Sequence, residues 1–157
     1  MKGQKLPLED HIVRFVSPSR LRRDENNAVV GILPTAFELR PEDEGLSVTW
    51  LEYFAGDRDQ KIASTIRAIR ASAIKVSQNS GFAIGNVGAI ANTVADRGYK
   101  IRIIHMPVGD NKAHAEIRQF PRNELELLER LAATVWSEFV LNTHVPPGAE
   151  SAPDKSE

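Results

Sequence analysis

The sequence predicts an α+β fold: a mainly antiparallel sheet of about five strands, with a long central helix and a C-terminal helix packed on one face. Short apolar runs with strand-like alternation cluster in residues 11–50 and again in 82–118. Two longer segments, 57–77 and 123–141, instead repeat their apolar residues at helical spacing. The composition, 41% hydrophobic and 26% charged over 157 residues, is that of a globular protein able to build one core.

Residues 1–9, with Pro7 and few apolar anchors, are expected to form a flexible arm ahead of a single domain over 10–142. His11 to Val16 predicts an interior strand, since apolar side chains fall on both faces and Arg14 is the odd member. Ser17-Pro18 ends it, because proline has no N–H for the ladder. Val29 to Leu33 predicts a brief strand or extended loop, and Ala36 to Leu39 another short strand. Asp57 with Gln60 is a capping-box pattern opening the long helix, whose stripe is Ile62, Ile66, Ile69, Ala73 and Val76; Ile74 does not fit it.

Phe82 to Asn86 predicts a buried strand; over Val87 to Arg97, Ile90 and Val94 favour a short helix closed by Gly98, while alternation also permits a strand. Tyr99 to Met106 and Ala113 to Arg118 predict a hairpin. The polarity pattern favours Arg102 opposite Glu116, a register that separates the rings of His105 and His114. Asn123 with Glu126 is expected to open the C-terminal helix, striped by Leu125, Leu128, Ala132, Val135, Trp136 and Phe139. Residues 143–157, rich in Pro, Ser and Ala, are expected to be a disordered tail.

Leu46 to Gly56 holds the densest functional signal. Leu46-Ser47-Val48 reads as a strand end, and Thr49 with Glu52 three residues on as a helix start. Free backbone N–H groups at such a start can hold an anion.

A net charge of −1 supplies no long-range field toward DNA or acidic membranes. The absence of cysteine removes disulfides and thiol chemistry and fits the cytoplasm. No secretory h-region or membrane-spanning apolar run is present. His-x-His, His-Glu-x-x-His and Asp-rich loops are missing, so neither a metal nor a cofactor is expected.

His11 and His105 are candidate acid–base groups, with Glu52 as a further base. Arg14, Ser47, Thr49 and His114 are candidate ligand-binding residues. An arginine on an interior strand needs an anionic partner, supplied by Glu38 or Glu52 of the chain itself or by a bound phosphate or carboxylate. Lys61, Arg67, Arg70 and Lys75, in a stretch from Gln60 to Ala95 without Asp or Glu, form a basic stripe able to grip nucleic-acid phosphates.

These observations predict a small cytoplasmic domain that binds an anionic ligand, a nucleotide or nucleic acid, and in a catalytic version performs phosphodiester or glycosyl transfer through histidine. The competing prediction is a non-catalytic module that docks a protein partner or a second copy. Its surface would be the Leu125 to Phe139 stripe or the Trp50-Tyr53-Phe54 cluster.

Overall fold

The computed structural model describes residues 3–72 and 74–146. Along the chain these form β1 (His11–Val16), β2 (Leu21–Arg23), β3 (Val29–Ile32), β4 (Gly45–Trp50), α1 (Arg58–Ala71), β5 (Gly81–Asn86), α2 (Val87–Ala95), β6 (Arg102–His105), β7 (His114–Arg118), α3 (Leu125–Arg130) and β8 (Glu138–Leu141). Six strands make one antiparallel sheet in the order β6-β7-β4-β1-β5-β8, and β2 and β3 form a separate ribbon. The fold is α+β, as the sequence predicts, with six strands in the main sheet where about five were expected.

Both faces of the sheet are covered, not one. Alternation puts Leu46, Val48, Ala115 and Ile117 on one face, where they join a core with Ile90 of α2, Leu127 of α3, Leu131 and Trp136. Val13, Phe82 and Ile84 point the other way and meet Ile62, Ile66 and Ile69 of α1. Trp136 lies 4.6 Å from Phe37, ring centre to ring centre, inside the larger core.

α1 begins as predicted. The Asp57 side chain accepts from Gln60 N–H, and the Gln60 side chain accepts in return from Asp57 N–H. Gly56 at φ +107° leads into this cap, and a Cβ there would strike the Gln60 side chain. The helix stops at Ala71, short of Ser77, because Ser72 turns extended and both its N–H and its hydroxyl bond the Ile69 carbonyl. Ile74, the misfit of the stripe, lies beyond that stop and is exposed.

α2 forms over the predicted segment, with the Asn86 side chain capping Ala89 N–H. The Ala36 to Leu39 strand does not form. Pro34 instead starts a 3₁₀ turn over Pro34–Phe37 that buries Phe37.

The C-terminal helix is also shorter than its apolar stripe. Asn123 sits at φ +59°, outside the extended conformation of a capping residue, so the predicted third capping box is absent. After Arg130 the coil widens, and Trp136 N–H reaches back five residues to the Leu131 carbonyl. The chain then becomes β8, which pairs the outer edge of β5 and carries Phe139 opposite Ala83. An apolar run can serve a helix or a strand equally well; here the bare edge of β5 takes it.

The β6–β7 register is two residues away from the expected one: Arg102 faces Arg118, Ile103 faces Ile117 and His105 faces Ala115. A slip of two preserves every side chain's face, so polarity could not distinguish the two. The loop does, through reciprocal backbone bonds between Val108 and Asn111. Arg118 tolerates its cross-strand arginine because its Nε donates to Glu116 at 2.6 Å.

The stretch expected to be a loose arm runs along β6 instead. Gly3 and Leu6 donate N–H to the carbonyls of His105 and Ile103, and Leu6 is buried. At the other end, Val145 is buried beside α1, and Arg70 donates to its carbonyl at 2.7 Å. The rest of the expected tail, 147–157, lies outside the described residues.

Candidate functional site

The main sheet is two three-stranded halves joined by a short seam. β1 pairs β5 along all six of its residues, and β4 pairs β7 from Gly45 to Thr49. Between β1 and β4 only Ile12 with Trp50 and Val13 with Thr49 are partners. Beyond that seam the strands part where Arg14, Phe15 and Val16 would have met Val48, Ser47 and Leu46.

Arg14 stands at the parting. Its Nε donates to the Ala36 carbonyl and its Nη1 to the Ser47 carbonyl, each at 2.7 Å. These two bonds satisfy one carbonyl of the Pro34–Phe37 turn and one of a strand left without a partner there. A guanidinium has five N–H donors, so three remain with no acceptor among the described residues. Neither Glu38 nor Glu52 pairs with it. Burial, reinforced by nearby Arg40 and opposed by Asp43, lowers the Arg14 pKa to about 10, so it stays a cation at neutral pH.

A cleft of about 530 Å³ enters the sheet at this split. Ser47, Thr49 and His114 line it along with Arg14, so four of the sequence-predicted ligand residues do meet. Their roles differ. Thr49 is buried and its hydroxyl accepts from Asn111 Nδ2 at 3.0 Å. His114 Nδ1 lies 2.8 Å from the Met106 carbonyl; because that oxygen only accepts, Nδ1 carries the proton and a neutral ring keeps its lone pair on Nε2. The C-terminal end of α1 borders the cleft, where Ile69 and the following Ser72 form part of its wall.

The predicted helix start at Thr49 is absent. Thr49 belongs to β4, and the chain makes only a 3₁₀ turn over Leu51–Tyr53, so no helix N-terminus faces an anion. Glu52 instead closes back on β1, accepting from His11 N–H and from His11 Nδ1, both at 2.7 Å. His11 and Glu52 are therefore brought to each other but do not line the cleft. His105 is buried at the same end of the sheet, its Nε2 donating to the Lys112 carbonyl at 2.7 Å. The rings of Trp50 and Tyr53 stand 5.2 and 5.6 Å from its ring.

The basic stripe does not survive as one surface. Arg70 is turned onto Asn142 and Val145, and Lys75 lies beyond the helix. The C-terminal apolar stripe is divided: Leu128 and Trp136 are core residues of the chain itself, Ala132, Val135 and Phe139 pack partly against that core, and Leu125 is exposed. Tyr53 of the aromatic cluster is exposed, at 44%.

Sequence reasoning missed Asn111, Arg20, Arg40 and Asp43, which also line the cleft. They come from turns whose position follows from tertiary packing, and no local periodicity marks them. Among the described residues no cluster of three His, Cys, Asp or Glu could hold a metal ion, and no helix is long and apolar enough to cross a membrane. Compared with known proteins, this chain matches no family model, no curated protein and no solved structure.

Proposed function

We propose that this chain is a cytoplasmic binding protein for a small anionic molecule, held in the cleft between β1 and β4. The single observation carrying this reading is Arg14. Its half-buried guanidinium stands at the parting, two backbone carbonyls fix its plane, and among the described residues no carboxylate pairs with it and its remaining donors meet no acceptor. A structural arginine is ordinarily neutralised by a carboxylate of its own chain, and a half-buried cation left with dipoles alone favours an incoming anion. The cleft volume lies in the range of small-molecule sites.

Acid–base chemistry in this cleft would fall to His114, whose Nε2 is the available lone pair, and not to His11 or His105. A nucleic-acid ligand has less to support it, because the arginines of α1 are engaged elsewhere. The test is a thermal-shift panel of phosphate and carboxylate compounds on the wild-type chain and on Arg14→Met. A ligand that raises the melting temperature of the first and not of the second supports the reading. No shift with any anion counts against it.

The second reading, a surface for a protein partner or a second copy, is favoured by the exposed ring of Tyr53 beside Trp50 and Phe54 and by the exposed Leu125 of the C-terminal stripe. Sedimentation of the wild type and of Tyr53→Ser over a range of concentrations separates it from the first for a second copy.

A further inference from the structure

We infer that the cleft between β1 and β4 selects a monocarboxylate carrying an apolar chain or ring, in preference to a phosphate ester; the inference rests on the anion-binding reading above. Charge comes first. Arg14, Arg20 and Arg40 line the cleft against Glu38 and Asp43, three positive groups to two negative, which leaves one positive charge unmatched. Arg40 is already spent, its Nε 2.9 Å from Asp43 and 3.6 Å from Glu42. The unmatched charge that faces inward is Arg14, and a single negative group balances it. A second negative charge on the same head would meet the field of Asp43, which already acts on Arg14.

The helix ends point the same way. Phosphate sites draw on backbone N–H groups at helix N-termini. Here Ile69 and Ser72, at the C-terminal end of α1, form the wall. That end carries roughly half a negative charge from its carbonyls. Arg70, the basic residue of that last turn, is turned away toward Asn142. A planar carboxylate also matches the spacing of neighbouring guanidinium N–H groups in a way a point of charge does not.

Beside its polar side chains the cleft also carries an apolar strip. Val13, Phe15 and Ile69 form the inner part, while Ile74 and Val108 stand at the rim. Both rim residues are large hydrophobics left exposed, at 38% and 44%. An apolar body reaching out from a head on Arg14 would cover them, removing from water the surface that the fold itself leaves bare.

Isothermal titration with octanoate, octyl phosphate and octanol separates head from body, since the chain is shared and only the head changes. Each is used below its micelle-forming concentration, on the wild type, Arg14→Met and Ile74→Glu, with folding of the variants checked by circular dichroism. Octanoate is expected to bind the wild type, octyl phosphate at least tenfold more weakly, and octanol weakest. Both substitutions are expected to weaken octanoate tenfold or more. Octyl phosphate binding as tightly as octanoate or tighter would overturn the carboxylate preference while leaving an anion site at Arg14. Octanoate binding that Ile74→Glu leaves unchanged would remove the apolar rim from the inference. No binding by either anion, or equal binding to Arg14→Met, would overturn the anion-binding reading itself. Should Arg14→Met fail to fold, the wild-type ranking and Ile74→Glu still decide the question.

Discussion

Arg14 Nη1 lies 2.7 Å from the carbonyl oxygen of Ser47, on the strand that β1 has just left. One side chain thus replaces a run of ladder bonds between β1 and β4, and a second bond from its Nε ties in Ala36. Removing the guanidinium while keeping the stem strands two carbonyls at the lip of a cleft where water reaches only one readily. Arg14→Met is therefore expected to lower stability by about 1–3 kcal/mol. Arg14→Lys, with one ammonium for two separated acceptors, should recover only part of it. Urea unfolding measures both, and an unchanged midpoint for Arg14→Met would show that the carbonyls lose nothing.

Thr65 offers the opposite case. It is fully buried in α1, and its hydroxyl has no partner among the described residues. A helical threonine ordinarily bonds a carbonyl one turn back, and a buried hydroxyl without such a bond carries a desolvation cost. Thr65→Val keeps the shape and removes that cost. It is expected to raise stability by up to about 1 kcal/mol, read as a higher urea midpoint at constant slope.

The N-terminus of α1 is tied to the edge of the sheet by Arg58 and Glu138, whose two N–H···O contacts measure 2.6 and 2.7 Å. Arg58 holds the Glu138 carboxyl below its ordinary value of 4.5. A carboxyl whose folded-state pKa is depressed stabilises the fold above its unfolded-state pKa and loses that contribution as pH falls through the folded one. Both side chains are about half exposed, at 48%, so solvent limits the pair to about 1 kcal/mol or less. Glu138→Gln should thus be less stable than wild type at pH 6 and indistinguishable from it once the wild-type carboxylate is protonated. Unfolding curves at several pH values test this; a gap that persists in acid would assign the loss to packing.

Gly85 faces the widened turn that carries Trp136. A Cβ at this position would lie 3.3 Å from the Trp136 ring and 3.2 Å from Ile90. Because Trp136 is also held against Phe37, it has nowhere to retreat. Gly85→Ala is expected to cost about 1–3 kcal/mol through overpacking, with a change in tryptophan emission. A variant with wild-type emission and stability would mean the turn yields freely.

How much of this was legible in the sequence follows from which features are local. The cap of α1 needed only Asp57 and Gln60 three residues apart, and the interior strand with a lone arginine needed only alternation over His11 to Val16. Both are present, and Arg14 borders the cleft at the β1–β4 parting. Thr49 and Glu52 show the same spacing as Asp57 and Gln60 yet make no cap, because β4 continues through Trp50 to bond Ala113. Spacing alone does not say whether a neighbouring strand will claim the residues first. The pairing of His11 with Glu52, and the choice of β8 over more helix at Phe139, depend on partners dozens of residues away.

The two-pair seam between β1 and β4 has a mechanical consequence. Laddered at one end only, the two halves of the sheet share a spine at Ile12 and Val13 and meet beyond it through the Arg14 side chain and the core that Val16 shares with Leu46 and Val48. Arg14 is thus a clasp across the unladdered end, and cutting it would leave the spine and the shared core as the joints between the two halves.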